Sequence, residues 1–226
     1  RYKADHPTQA VLLHLNGDGR DPHDQGTRFF AGHWLYHNGA TVTSDVPATT
    51  GETVIAVSDP ELFQVNVGRF GTTNDDIGLC RLGADGKPDW SHAEQVALVA
   101  VDHQAKTITV RRGAYGTKPL AFEGGRAYAA VHVANGPWGG ESHWIWFYNH
   151  ATTCPKDAQG RTCSDVVVEI MAEWFAPGGP LENFDGLEFD VARWEAGGGA
   201  GKRRPDANAD GIGDSGHVDG VNVYGL

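Results

Sequence analysis

The sequence predicts an α/β fold, a partial (β/α) barrel interrupted by an all-β insertion domain, and three observations carry that expectation. Short apolar runs at residues 10–15 and 127–133 each end in a Gly-rich polar loop, the pattern of strands that present their ends to a ligand. An amphipathic helical segment after residue 162 leads into a further strand-like run, and the order strand, helix, strand suits a parallel layer. Residues 32–125 instead hold short β-branched runs separated by turn residues, the texture of an all-β module. The expected division is thus residues 1–31 as the first barrel strand and loop, 32–125 as the β-rich insertion, and 126–226 as the continuation of the barrel. The α/β parts total about 130 of the 226 residues, whereas eight βα units need ~250. With residues 221–226 apolar and carrying no stop signal, half a barrel is expected, completed by the remainder of its own chain or by another subunit.

Each element has a local reason. The first strand stops at Asn16, Gly17, Asp18 and Gly19, which favour a loop. Within the insertion, residues 41–43, 53–57, 62–67, 77–82, 96–101 and 107–110 read as strands, with residues 102–106 turning the clearest hairpin. Residues 127–133 form a strand that runs into the loop holding Trp138 between Pro137 and Gly139. Residues 143–148 suit a buried strand or a short helix equally. Val167, Ile170, Met171, Trp174 and Phe175 recur at helical spacing, Thr162 and Asp165 are placed as a capping box, and Pro177 to Pro180 end the helix. Residues 184–191 follow as a strand.

Composition narrows the function classes. Eighteen Lys and Arg against 29 Asp and Glu leave a net charge of −11, which disfavours nucleic acid because its binding draws on cations that neutralise phosphates. No apolar run approaches the length of a membrane span, and residues 1–5 lack the apolar core of a signal peptide. Seven Trp and 40% hydrophobic residues exclude a disordered acidic polymer. Glycine, at 31 residues, is about twice its usual share and implies tight turns and close backbone approaches. Cys154 and Cys163 lie in a polar loop at a spacing that a local disulfide would close, the alternative being two reduced thiols; the bridge points to a secreted or extracellular protein.

Two constellations carry chemistry. Strand alternation puts Glu188 and Asp190 on one face, with Leu187, Phe189 and Val191 on the other. Paired carboxylates on an inward face raise each other's cost of ionisation, which suits an acid with a nucleophile or stabiliser in glycosidic cleavage; the competing reading is a solvated acidic edge. Asp185 joins this pair as a catalytic candidate, and Asp18, His132 and Trp138 are the substrate-binding candidates, although His132, like His14, sits within an apolar strand where a core role suits it and either a core or a sugar-stacking role suits Trp138. The second constellation places oxygen donors at Asp206, Asn208, Asp210 and Asp214, a carbonyl at Ile212 and the turn glycine Gly211 in a Ca²⁺-type loop. His217 replaces the final bidentate Glu of a helix-loop-helix site, and Asp219 is an extra ligand candidate. Neither His-x-His nor His-Glu-x-x-His occurs, which gives a zinc hydrolase little sequence support.

The run from Asp185 to Asp190 resembles the Asp-Gly-x-Asp-x-Asp-x-Glu strand of chitinase-like glycoside-hydrolase barrels, with Asp185, Gly186, Glu188 and Asp190 on its first, second, fourth and sixth positions. The family's eighth position, the catalytic acid, is Ala192, and Glu195 falls three residues later. A closer likeness is to incompletely characterised glycosyl-hydrolase barrels that keep the Phe-Asp-Gly strand without that acid, over residues 126–226 and weakly the first strand. Residues 107–117 resemble the Val-x-Arg-Gly-x-x-Gly-Thr hairpin ending of small β domains in phage-tail and cell-surface proteins. The strand resemblance implies a glycoside hydrolase acting on a poly- or oligosaccharide, and with the Ca²⁺-type loop and the cysteine pair the expectation is a secreted, calcium-stabilised one. Other readings are a non-catalytic glycan-binding surface or tail protein and a metal-dependent hydrolase using His and Asp.

Overall fold

In the computed structural model, residues 2–68, 71–138, 143–191 and 193–224 are described. Helix α1 (Tyr2–Asp5) precedes β1 (Leu12–Asn16) and β2 (Gly19–Arg20), followed by β3 (Tyr36–His37), β4 (Ala40–Val42) and β5 (Gly51–Ala56). Then come β6 (Asp76–Leu82), β7 (Pro88–Asp102), β8 (Thr107–Arg112), β9 (Ala127–Val131), β10 (Ala134–Asn135) and β11 (Ile145–Phe147). Helix α2 (Cys163–Phe175) leads to β12 (Gly186–Asp190), β13 (Pro205–Asp206), β14 (His217–Val218) and β15 (Val221–Asn222).

Six antiparallel strands form one curled sheet in the order β4-β9-β6-β7-β8-β5. Its two outer strands meet: Val42 bridges Val57, the Thr43 amide donates to the Ala56 carbonyl at 2.8 Å, and the Ser58 amide donates to the Thr41 carbonyl at 2.9 Å. The sheet therefore closes on itself as a small barrel, which removes the unpaired edges of an open sheet. Ile55, Ile77, Leu79, Val96, Ile108, Val110, Ala129 and Val131 fill its interior. Strand period two sends the alternate residues outward, where Tyr128 and Ala130 of β9 and Cys80 of β6 join a second core with Trp34, Tyr36, Trp90, Trp146 and Tyr148. Tyr36 stacks on Trp90 at 4.0 Å directly over Gly78, where a Cβ would lie 2.6 Å from the Tyr36 ring. Only glycine admits that aromatic pair to the sheet.

This architecture corrects the expected fold. The chain is mostly β, with two helices, and is not an α/β barrel. The parallel pairing in it is that of β1 with β12, from Leu12 opposite Gly186 to Asn16 opposite Asp190. The glycoside-hydrolase barrel resemblance fails with the fold that it implied. The misreading has a physical source in β9. All five residues of that strand are buried, which reads as a parallel α/β strand, but the burial comes from the barrel interior on one side and the aromatic core on the other.

Helix α2 forms where its spacing predicts, with the Thr162 hydroxyl accepting from the Asp165 amide and the Asp165 carboxylate accepting from the Thr162 amide. Its buried face is Cys163, Val166 and Ile170. The expected Cys154–Cys163 disulfide is absent: both are buried free thiols inside the aromatic core. Burial pushes the Cys154 thiol up to about 11 and the Cys163 thiol well above its ordinary value, so neither supplies a thiolate at neutral pH. No helix among the described residues is long and apolar enough to cross a membrane.

Candidate functional site

The most chemically loaded surface is a polar cleft of about 890 Å³ at one end of the barrel. Asp21 and His23 come from the loop after β2, His143 and Trp144 from the approach to β11, Asp76 from the first position of β6, and Tyr115 from the turn after β8. Asp21 is the hub. One carboxylate oxygen accepts from the His23 amide at 2.8 Å and faces the His23 Nδ1 at 3.0 Å, while the other lies 2.9 Å from the His143 Nε2. The two imidazoles sit 5.1 Å apart, edge to face. Burial alone would raise the Asp21 carboxyl, but the His23 amide and ring together with His143 outweigh it and hold it below its ordinary value.

Donor atoms of Asp21, His23 and His143 lie within 4.8 Å of one another. Two neutral imidazoles and a carboxylate are a donor set for a divalent transition ion. Behind them, the Asp76 carboxylate accepts from the Tyr115 hydroxyl and, at 2.7 Å, from the Trp146 indole. Burial raises Asp76 to about 6 even though both of these bonds favour its charged form. A carboxyl with that pKa exchanges protons near neutrality, the property asked of a general acid or base. Burial and the neighbouring Asp76 push the Tyr115 phenol far up, so it stays a hydrogen-bond donor.

The residues singled out from sequence lie elsewhere. Glu188 and Asp190 do share one face of β12, but their side chains are 65% and 57% exposed and flank the His14 imidazole at 3.5 and 3.6 Å. The His14 imidazole between them is itself exposed. The Asp185 carboxylate accepts from the Val11 amide and the Lys3 ammonium, both at 2.7 Å, and these hold it below its usual range, with Lys3 the larger influence. Ala192, the position of the missing acid, lies outside the described residues. Asp18 is buried against Arg193, and desolvation raises its carboxyl despite that guanidinium. His132 is fully enclosed, stacked on Trp146 at 3.6 Å with Nε2 2.8 Å from the Gln95 amide oxygen, as its core alternative anticipated. Trp138 is 38% exposed, and its neighbours Gly139 and Gly140 lie outside the described residues.

The Asp-rich loop is wound around its own amides. Asp206 accepts from the Gly211 amide at 2.7 Å, Asn208 from Asp210 at 3.2 Å, Asp210 from Ile212 at 3.0 Å, and Asp214 from Gly216 at 2.7 Å. Burial, then Asp210 and Asp214, raise Asp206 to about 7 against the Gly211 bond. Lys87 pairs with Asp210 at 3.2 Å. The Ile212 side chain is exposed, and Asp219 with Gly220 makes the positive-φ turn of the β14–β15 hairpin.

Asp21, His23, Asp76, Tyr115 and His143 were not singled out from the sequence. The usable signal was Asp21-Pro22-His23, a carboxylate and an imidazole two apart at a strand end; His143 is 120 positions away and joins them only through folding. No family model, curated protein or solved structure matches the chain. Fold and cleft together define its class as a closed β-barrel protein bearing a His/Asp cleft.

Proposed function

We propose that the protein is a metal-dependent hydrolase acting on a hydroxyl-rich substrate of the carbohydrate class in the cleft beside Asp21. The observation that carries this reading is the convergence of Asp21, His23 and His143 at the mouth of a polar cavity with Asp76 behind them. A divalent ion held by these three side chains would supply Lewis acidity and an activated water. Asp76 would take up or release the proton, Tyr115 would fix its orientation, and the cleft's Thr72, Glu52 and Arg111 offer partners for sugar hydroxyls. Titrating chelator-stripped protein with Zn²⁺ and Mn²⁺ tests the reading. About one equivalent bound is expected, and no heat or bound metal with either ion sinks it.

A second reading keeps glycosidic hydrolysis by the pair Glu188 and Asp190, favoured by their shared face around His14. The double variant Glu188→Gln with Asp190→Asn should then lose release of reducing ends from the right glycan with melting unchanged. Full turnover by that variant leaves this strand a solvated acidic surface.

We also propose Ca²⁺ as the occupant of the loop from Asp206 to Asp214. Asp206 titrates near 7 in the folded protein and at ~3.9 unfolded, so its protonation stabilises fully below pH ~4 and that stabilisation is lost as pH rises toward 7. Without calcium, thermal melting should show a loss of about 2–4 kcal/mol across that window. Calcium should reverse it, and Asp206→Asn should flatten the profile and abolish the calcium response. A calcium response retained in Asp206→Asn would overturn the assignment.

A further inference from the structure

A second, apolar groove of about 420 Å³ lies between the C-terminal ends of β1 and β12 and helix α2, away from the polar cleft. Val167, Val168, Met171, Phe189, Tyr148 and Tyr224 give it greasy walls. On its surface the Ser164 hydroxyl lies 3.0 Å from the His150 Nδ1, and the His150 Nε2 lies 3.1 Å from the Gly17 carbonyl. That carbonyl only accepts, so Nε2 carries the proton and Nδ1 is left to accept from Ser164. The arrangement is nucleophile, base and orienting group within hydrogen-bond reach. Burial holds the His150 imidazole below its ordinary value, so it rests neutral as a base must, and the Gly17 carbonyl and then Asp18 in the same groove work in the opposite direction, toward the imidazolium.

Ser164 is the second residue of α2, and the next two amides of its first turn, those of Asp165 and Val166, go to the Thr162 hydroxyl and carbonyl, both at 3.3 Å. The Ser164 amide is one of the N-terminal donors that an α-helix leaves without an intrahelical partner, at the positive end of the helix dipole. A nucleophilic serine whose own amide stabilises the oxyanion is an established solution to acyl transfer.

We propose that Ser164 and His150 form a catalytic dyad that hydrolyses carboxylic esters carrying a small apolar acyl group seated in this groove, an activity separate from the metal reading. His150 takes the Ser164 proton as Oγ bonds to the acyl carbon, and the carbonyl electron pair moves onto oxygen at the Ser164 amide. Collapse breaks the carbon–alkoxide bond, and His150 returns the proton to the departing alcohol. Water then attacks the acyl-serine, giving one proton through His150 to Oγ, and leaves a carboxylic acid.

The intact protein is treated with a fluorophosphonate probe and assayed with p-nitrophenyl butyrate. Label on Ser164 by peptide mass spectrometry and hydrolysis above buffer are expected. Ser164→Ala should lose both, and His150→Gln should lower hydrolysis by about 100-fold or more while Ser164 is still present. Ser164 is exposed, so the Ala variant should melt like the parent. Excess EDTA should leave ester turnover unchanged, which separates failure here from failure of the metal site. No label on Ser164, or wild-type turnover by Ser164→Ala, overturns the proposal.

Discussion

Replacing Asp21 with Ala should weaken binding of Zn²⁺ or Mn²⁺ by at least about 100-fold, since outer-sphere changes alone cost 10–100-fold. The size of the effect follows from the hub position: this one carboxylate meets both imidazoles, so its removal takes away a ligand and also the group that orients His23 and His143. Hydrolysis in the cleft should fall with it, and added metal should restore only part of the rate. His143→Gln should lose affinity similarly, whereas Glu52→Gln on the cleft rim should shift KM and leave metal affinity alone. Isothermal titration of stripped protein reads the first quantity and chelator-reversible turnover the second. If Asp21→Ala binds metal as the parent does, the three side chains are a hydrogen-bonded cluster and nothing more.

Breaking the Arg112–Glu94 pair should be the most destabilising change in the barrel. Both side chains are fully buried, and the guanidinium meets both carboxylate oxygens, through Nε at 2.9 Å and Nη2 at 2.5 Å. Arg112 also donates to the Pro47 and Leu120 carbonyls, at 2.9 and 2.6 Å, and Glu94 accepts from the Gly113 and Leu120 amides, at 2.8 and 3.0 Å. Removing one partner leaves an uncompensated charge in the interior, which costs about 3–5 kcal/mol. For a chain of this size each kcal/mol is worth about 2–4 °C in Tm. Arg112→Leu or Glu94→Leu should therefore lower the melting point by roughly 10 °C, and the double Leu variant should recover much of the loss because neither charge is stranded. Urea unfolding with an unchanged slope distinguishes lost stability from a changed denatured state. A single variant within 1 kcal/mol of the parent would show the pair to be dispensable.

What was legible in the sequence was local. The capping box of Thr162 and Asp165 placed α2, and the β-branched runs placed β5, β6, β7 and β8, because caps and short-range patterning act over a few residues. The residues from Val110 to Thr117 marked a tight hairpin ending, but nothing there announced that Arg112 points inward to Glu94, 18 positions earlier. The class was missed because burial on both faces has two causes, helices on either side of a parallel sheet or a barrel wrapped by aromatics, and β9 gives the same composition for both. The cleft was missed because its members are polar, singly unremarkable, and drawn from positions 21 to 143. Cys154 and Cys163 show the limit of spacing arguments: the two thiols do come together, but as packed hydrophobic groups.

The antiparallel neighbours β4 and β9 put Ala40 opposite Ala129, so the chain enters the barrel and leaves it side by side. This bears on how far apart the remaining strands are during folding. The pairing of Val11 with Asp185 spans 174 positions of an unfolded chain, but a completed barrel short-circuits about half of that path. By loop-closure entropy a halving is worth only ~0.6 kcal/mol, too little to matter for final stability. Its bearing is on timing: with the barrel closed, β1 and β12 meet across a shorter loop, a gain of less than about threefold in the chance of pairing.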